Sequence, residues 1–326
     1  MSKAIRIHEH GGPDVLCWDE VDPGTPGAGQ ALIRQTAVGL NFIDVYHRTG
    51  LYPVPSKPAI IGNEGAGVVE AVGDDVSVVS VGDRVAYSMS LGSYAEQRVV
   101  DAARLVKLPD GITDQQAAAM MLKGCTVQYL LRRIYPVSAG DTILLHAAAG
   151  GVGLIASQWA KHLGATVIGT VGSDEKAVLA KAHGCAHTVV YTREDVVGRV
   201  KELTGGVGVP VVFDSVGKDT FLASLDCLQP RGLMVSYGNA SGAVEPFSPG
   251  VLAAKGSLFL TRPTLASYIS TRDDLDTTAA DLFSVVKSGA VRIAVNQTLP
   301  LEKAAQAHRD LEARKTTGST VLTIGG

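Results

Sequence analysis

The stretch Thr142–Gly153, TILLHAAAGGVG, limits the architecture more than any other part of this sequence. It predicts a strand over Thr142–His146, a turn of small residues over Ala147–Gly151, and a helix continuing through Val152–His162. Glycine lacks a Cβ and tolerates unusual φ, so a phosphate could lie against bare N–H groups there. The helix start adds unpaired donors and the positive end of a dipole. The dinucleotide fingerprint is G-x-G-x-x-G opening a helix after a strand. Here Gly150, Gly151 and Gly153 surround Val152, so the spacing departs from that pattern and the strand-to-helix order carries the reading. The same tetrapeptide recurs at 205–208 as an internal control. That copy follows a helical run, Arg193–Leu203, and precedes an apolar run, Val211–Asp214. It should close a helix, where glycine caps the end and the dipole repels a phosphate.

Around the first copy the chain alternates. Predicted strands at Thr166–Val171, Thr188–Tyr191, Val211–Asp214, Leu233–Ser236 and Ser257–Thr261 are separated by predicted helices at Glu175–His183, Arg193–Leu203 and Thr220–Leu228. Apolar strands separated by helices imply a parallel sheet covered on both faces, a doubly wound α/β domain. The first 122 residues read differently. Short β-like runs (Ala4–His8, Ala31–Val38, Gly65–Val72, Arg84–Tyr87, Tyr94–Val100) are punctuated by Gly and Pro, which predicts a mostly antiparallel β domain. A helical run covers Asp114–Leu131. After Arg262-Pro263 come a helix over Asp276–Ser288, a strand over Val291–Val295, a helix over Leu301–Ala313 and a strand over Ser319–Ile324. That tail is too short to stand alone and should rejoin the N-terminal domain. The expected division is therefore 1–122 with 263–326, and 123–262, with ligands in the cleft between them.

Composition excludes several classes. A net charge of −3 with both signs interspersed leaves no electrostatic footprint for nucleic acid. No apolar signal core opens the chain, and no apolar run reaches the roughly eighteen residues of a membrane span. The four cysteines lie far apart without a C-x-x-C pair, the usage of a reducing, cytoplasmic compartment.

The second strand of the α/β domain ends Thr170-Val171-Gly172-Ser173, with no acidic residue until Asp174. NAD sites place a carboxylate there for the ribose 2′-hydroxyl. Its absence, with Lys176 close by, favours the 2′-phosphate of NADP(H). The alternative is that Ser173 only caps the next helix, with Lys176 a solvated side chain.

Over essentially its full length the chain resembles the zinc-independent quinone oxidoreductases of the medium-chain dehydrogenase/reductase superfamily, the bacterial NADPH:quinone reductases above all. The resemblance rests on VGLNFIDVY (38–46), GLYP (50–53), GNEGAG (62–67), LKGCT (122–126), HAAAGGVG (146–153), FDSVG (213–217) and TRP (261–263). It implies a GroES-like, mostly-β catalytic domain with a Rossmann cofactor domain, NADPH as cofactor, a small quinone as substrate, and a homodimer joined through edge strands near Ser257–Leu260. It implies that Asn41, Asp44, Tyr46 and Tyr52 line the nicotinamide and substrate site, flanked by Lys123, Thr126 and Tyr129. The 2′-phosphate would lie near Gly172, Ser173, Lys176 and Tyr191. Further cofactor contacts would come from Asn41, Gly150, Gly151, Val152, Val216, Gly217, Tyr237, Gly238, Asn239, Ser241, Leu265 and Arg314. Plainer roles stay open: Tyr46 and Tyr52 as packing aromatics, Asp44 as a helix cap, Asn41 as a turn former.

Departures from the zinc-dependent relatives bear on chemistry. Gly39-Leu40-Asn41 has no cysteine, Asn63 stands where a ligating histidine would be in Gly62-Asn63-Glu64, and residues 88–115 contain no cysteine. Zinc needs three or four ligands in tetrahedral reach, so no metal is expected. Without a metal, the acceptor must be electron-poor, as a quinone is. An enoyl or enone reductase of the same superfamily, or a nucleic-acid-binding role, are the competing readings.

Overall fold

The computed structural model describes residues 1–325. Contacts divide the chain into two compact units, Met1–Cys125 with Ile269–Lys287 and Ile293–Gly326, and Thr126–Tyr268 with Ser288–Arg292.

The first unit is built on β-structure. Strand Gln30–Gly39 alternates buried and open residues along most of its length, the pattern of a sheet with one face on a core. Its sheet runs, edge to edge, Val295–Pro300, Ser319–Thr323, Gln30–Gly39, Glu64–Val72, Arg84–Ser88 and Val106–Lys107, and Gln97–Asp101 also pairs with Gln30–Gly39. All these pairs are antiparallel except Val295–Pro300 with Ser319–Thr323. A smaller sheet orders Leu16–Val21, Ser2–Ile7 and Ala59–Ile60. The C-terminal segment closes this unit: Val321 pairs with Gly39, and Leu301, Ala304 and Ala307 join Ile5, Ile61 and Tyr94 in one buried cluster.

The second unit holds a fully parallel six-stranded sheet in the order His187–Val190, Thr166–Val171, Thr142–Leu145, Val209–Asp214, Leu228–Ser236, Phe259–Thr261. Numbered in chain order this is 3-2-1-4-5-6, the doubly wound dinucleotide arrangement, whose direction reverses between Thr142–Leu145 and Val209–Asp214.

Several boundaries moved, among them strand Tyr94–Val100 to Gln97–Asp101 and strand Leu233–Ser236 to Leu228–Ser236, and three others have a local reason. Helix Arg272–Lys287 starts before Asp276 because the Thr271 hydroxyl accepts from the Asp274 N–H at 3.1 Å. Helix Val196–Leu203 starts after Arg193 because Asp195 accepts from the N–H groups of Val197 and Gly198, both at 3.1 Å. The strand expected over Val291–Val295 is instead Val295–Pro300. Its first residues are held in the second unit, where the Gln158 side chain bonds both the N–H and the C=O of Arg292.

The repeated tetrapeptide behaves differently in its two settings. At 205–208 Gly205, Gly206 and Gly208 all have positive φ, beyond the end of helix Val196–Leu203. At 150–153 none does, and the left-handed residue of that turn is Ala147 (φ 53). What the first copy needs is bare space: a Cβ on Gly153 would sit 2.4 Å from the Ala147 carbonyl oxygen. The expectation of unusual φ at these glycines is corrected; close approach is the reason for them.

Candidate functional site

In the first unit the residues around Asn41 form one buried polar cluster. Asn41 ends the strand and precedes helix Phe42–Thr49. Its N–H donates to Asp44 Oδ2 at 2.9 Å, which ties off the helix start. Its side-chain amide donates to Glu64 Oε2 at 2.8 Å. Glu64 also accepts from Lys123 Nζ at 3.0 Å and from the Leu122 N–H at 2.7 Å. Asp44 accepts from Asn63 Nδ2 at 3.0 Å and from the Tyr94 hydroxyl at 3.1 Å. All six side chains are buried. Burial pushes the Asp44 carboxyl up to about 6, against the lowering effects of its donors Asn63, Asn41 and Tyr94 and of the Lys123 charge.

Asp44 is thus an internal acceptor at the third helical position rather than an exposed group. Tyr46 and Tyr52 pack edge to face with centroids 5.1 Å apart, and Tyr46 is buried. Arg314 lies beyond helix Ala304–Glu312 with φ 58. The donor set does not suit zinc: Asn41 and Asn63 are amides already engaged by carboxylates, and an ammonium lies among them. Among the described residues no three His, Cys, Asp or Glu side chains gather around a common point.

In the second unit the strand ends at the topological reversal carry the other candidates. Helix Gly151–His162 begins directly after the small-residue turn, with Gly150 as its cap. Gly172 presses against Tyr191, whose hydroxyl would be 2.8 Å from a Cβ there. Ser173 caps helix Asp174–Ala182 and accepts from the Lys176 N–H at 3.3 Å. Capping is therefore real. It also leaves Lys176 in the first turn of a nine-residue helix, where the dipole favours an anion. The Asp174 carboxylate that would repel a 2′-phosphate is gripped by both Arg193 terminal nitrogens at 2.6 and 2.7 Å.

Val216 and Gly217 meet the segment 237–241. The Ser241 hydroxyl donates to the Val216 carbonyl at 2.9 Å, and a Cβ on Gly238 would lie 2.4 Å from the Ser215 carbonyl oxygen. Asp214 fixes that turn by accepting from the N–H groups of Val216 and Gly217 and from the Thr220 and Ser224 hydroxyls. Ser224 in turn bonds His146 Nε2 at 2.9 Å, and His146 Nδ1 meets the Thr170 hydroxyl at 2.9 Å. Burial lowers the His146 pKa, so it is a neutral strut tying the ends of strands Thr142–Leu145 and Thr166–Val171 to helix Phe221–Cys227. Tyr129 stacks on Tyr268, centroids 4.5 Å apart, with the Arg133 guanidinium over the Tyr268 ring. Burial first of all, with the neighbouring Tyr237 and Tyr268 hydroxyls, pushes the Tyr129 hydroxyl pKa up, against the Arg262 charge and a hydrogen bond with Thr126. Leu265 is buried in the short helix Leu265–Tyr268.

A bound dinucleotide fits this unit. The bare turn under Gly153, the helix starts at Gly151 and Asp174, and the neutralised Asp174 leave room and donors for its phosphates. Sequence reasoning missed Arg193, Asp214, Ser224 and Tyr268 here, and Tyr94, His308 and Arg48 in the first unit. Only Asp214 stood inside a quoted motif.

Known proteins match this chain from end to end. The family described as zinc-binding dehydrogenase matches residues 151–284, and the alcohol dehydrogenase GroES-like domain matches residues 27–110. A quinone oxidoreductase of Pseudomonas aeruginosa is 55% identical, covering 99% of both chains. A 2-haloacrylate reductase of a Burkholderia species is 48% identical over 99% of both. The crystal structure of Escherichia coli quinone oxidoreductase complexed with NADPH superposes with a TM-score of 0.97 at 49% identity, over 99% of this chain and 100% of that one.

Proposed function

The chain belongs to the quinone oxidoreductases of the medium-chain dehydrogenase/reductase superfamily, and on that premise we propose that it reduces quinones with NADPH and without zinc. The observation that carries the chemistry is the cluster Asn41–Glu64–Lys123 with Asn63–Asp44, where amides and an ammonium stand in place of thiolate and imidazole ligands. When bound, NADPH supplies the two reducing electrons. The chain binds, orients and provides hydrogen bonds. Gly150, Gly151 and Val152 offer helix-start N–H groups to the pyrophosphate, while Gly172, Ser173, Lys176 and Tyr191 hold the 2′-phosphate. Thr126, Tyr129, Val216, Gly217, Tyr237, Gly238, Asn239, Ser241, Leu265 and Arg314 complete the cofactor contacts. Asn41, with Tyr46 and Tyr52, orients the acceptor oxygen, and Asp44 holds Asn41 in place.

The Burkholderia relative favours a second reading, reduction of an activated C=C bond in an enone or halogenated acrylate. Absorbance assays of NADPH oxidation against a quinone and enone panel, with and without chelator, decide between them. Rapid, chelator-resistant oxidation with quinones is expected. Turnover confined to enones would hand the site to the second reading, and chelator inhibition would remove the metal-free mechanism.

Lys176→Ala should raise the KM for NADPH about tenfold, a charged hydrogen bond being worth roughly 1.5–3 kcal/mol, while leaving that for NADH in place. An equal change for both cofactors in steady-state kinetics would separate Lys176 from the 2′-phosphate.

We also propose a cytoplasmic homodimer. The four cysteines are free thiols. Among the described residues no helix is long and apolar enough to cross a membrane. Strand Phe259–Thr261 ends its sheet, and Phe259 is 62% exposed on that edge. Light scattering should return a dimer for the wild type and a monomer for Phe259→Asp; a monomeric wild type rules the dimer out.

A further inference from the structure

A second polar chain enters the Asn41 cluster from behind. Arg48 is 1% exposed, an unusual position for a guanidinium. Its Nε donates to the Gly11 carbonyl at 3.0 Å, and its terminal nitrogens donate to both Glu312 oxygens at 2.8 and 2.9 Å. One of those nitrogens also lies 3.0 Å from His308 Nδ1. His308 Nε2 lies 3.0 Å from the Tyr94 hydroxyl, and that hydroxyl lies 3.1 Å from Asp44 Oδ2. His308, Tyr94 and Asp44 are fully buried.

The polarity of this chain is determined by its first member. A guanidinium only donates, so His308 Nδ1 must accept. The imidazole proton is then on Nε2 and is donated to the Tyr94 oxygen. The Tyr94 proton is left to point at Asp44. Every donor faces the carboxylate. Arginine does not give up a proton at these pH values, so nothing can be fed in from Glu312, and the chain is no proton conduit. It can only hold. Burial, with the Arg48 charge, drives His308 down to about 3, so its neutral tautomer persists throughout the working range.

We infer that Arg48, His308 and Tyr94 form a one-way hydrogen-bond chain that positions the Asp44 carboxylate and, through it, the Asn41 backbone N–H and the Asn63 amide at the site of reduction. The inference rests on the reading of this site as the reducing centre. The three are positioning residues: they touch neither cofactor nor acceptor. The groups facing Asp44 are Asn41 and Asn63 beside it, Tyr94 and His308 behind it, and the charges of Lys123, Glu64 and Arg48 around them. Protonating Asp44 would turn an acceptor of three donors into a donor that none of them can receive without a rearrangement. The chain therefore ties activity to the ionised carboxylate.

The test compares two replacements of one residue. His308→Gln can offer its carbonyl to Arg48 and its NH2 to Tyr94, keeping the polarity; His308→Leu fills similar space and offers neither. His308→Leu should lower kcat with quinone at least tenfold with a KM change under about threefold, and Gln should recover most of it, since one charged hydrogen bond is worth roughly tenfold. Packing alone would make Leu the equal of Gln or better, and that result overturns the inference. Tyr94→Phe removes one donor from Asp44 and should move the acid limb of kcat upward by about one pH unit.

A melting profile of the cofactor-free protein gives a readout without turnover. Because the folded Asp44 pKa is raised, its stabilising contribution is present below pH ~4 and lost as pH rises through about 6. In Tyr94→Phe the upper end of that window should move toward higher pH; an unmoved window overturns the coupling. A wild type inert toward quinones and enones would remove the proposed function, while these profiles would still decide the chain.

Discussion

Glu64→Leu is expected to destabilise the protein by about 3–5 kcal/mol, because it strands the Lys123 ammonium in a buried site. Both side chains are almost wholly enclosed, and Glu64 is the partner of Lys123 Nζ at 3.0 Å. The same carboxylate anchors the Asn41 amide and the Leu122 N–H, each of which loses a buried acceptor. The double variant Glu64→Leu/Lys123→Met should recover most of the loss, since replacing a whole buried pair by apolar groups is close to neutral. Recovery should stop short of wild type by about 1–3 kcal/mol, because the Leu122 N–H and the Asn41 amide both still lack the Glu64 acceptor. Chemical denaturation of the three proteins reads this directly. Equal stability of the single and double variants would mean that Lys123 finds water or another partner once Glu64 is gone.

Gly153→Val should reduce NADPH affinity more than tenfold and destabilise the second unit by about 1–3 kcal/mol. The new Cβ would lie 2.4 Å from the Ala147 oxygen and 2.6 Å from both the carbon and the oxygen of the Ala148 carbonyl, all of it backbone. No side chain can swing aside, so helix Gly151–His162 must lift from the turn and take its first N–H groups with it. The second tetrapeptide supplies the control. Gly206→Ala meets nothing within 4 Å and suffers only its left-handed φ of 87. It should cost about 1–2 kcal/mol of stability and leave NADPH affinity untouched. Fluorescence titration of NADPH binding with thermal melts separates the two effects. Wild-type affinity in Gly153→Val would detach that helix start from the cofactor.

These two sites show how far the sequence reaches. The Gly153 turn was legible because its meaning is local: a strand, bare residues and a helix start lie within twelve positions, and 3.6- and 2-residue periods declare the elements on either side. The doubly wound domain followed from the same alternation, though its strand order did not, and the lack of an acidic residue before Asp174 pointed to NADP(H). Less local features were read in part. Asn41 was singled out, but whether it was a turn former or a site residue could not be separated, and the structure shows it serving the turn through Asp44 while its side chain serves Glu64. Ser173 likewise caps its helix and stands at the expected phosphate position. Arg193 went unread because its grip on Asp174 spans nineteen residues and joins the loop after one strand to the start of helix Asp174–Ala182.

The sequence by itself determined the two kinds of architecture, the place of the dinucleotide turn and the absence of thiolate and imidazole at the positions of zinc ligands, because each is written in neighbouring residues. Only the tertiary structure decided how the Asn41 cluster is held. Arg48 and His308 are 260 residues apart, and Tyr94 and His308 are 214 apart. They meet because the C-terminal segment pairs its strand Ser319–Thr323 with Gln30–Gly39 and buries the adjoining helix Ala304–Glu312 against the N-terminal core. Hydrogen-bond polarity and the raised Asp44 pKa depend on those distant partners and on the exclusion of water around them, and neither leaves a mark on any short run of residues.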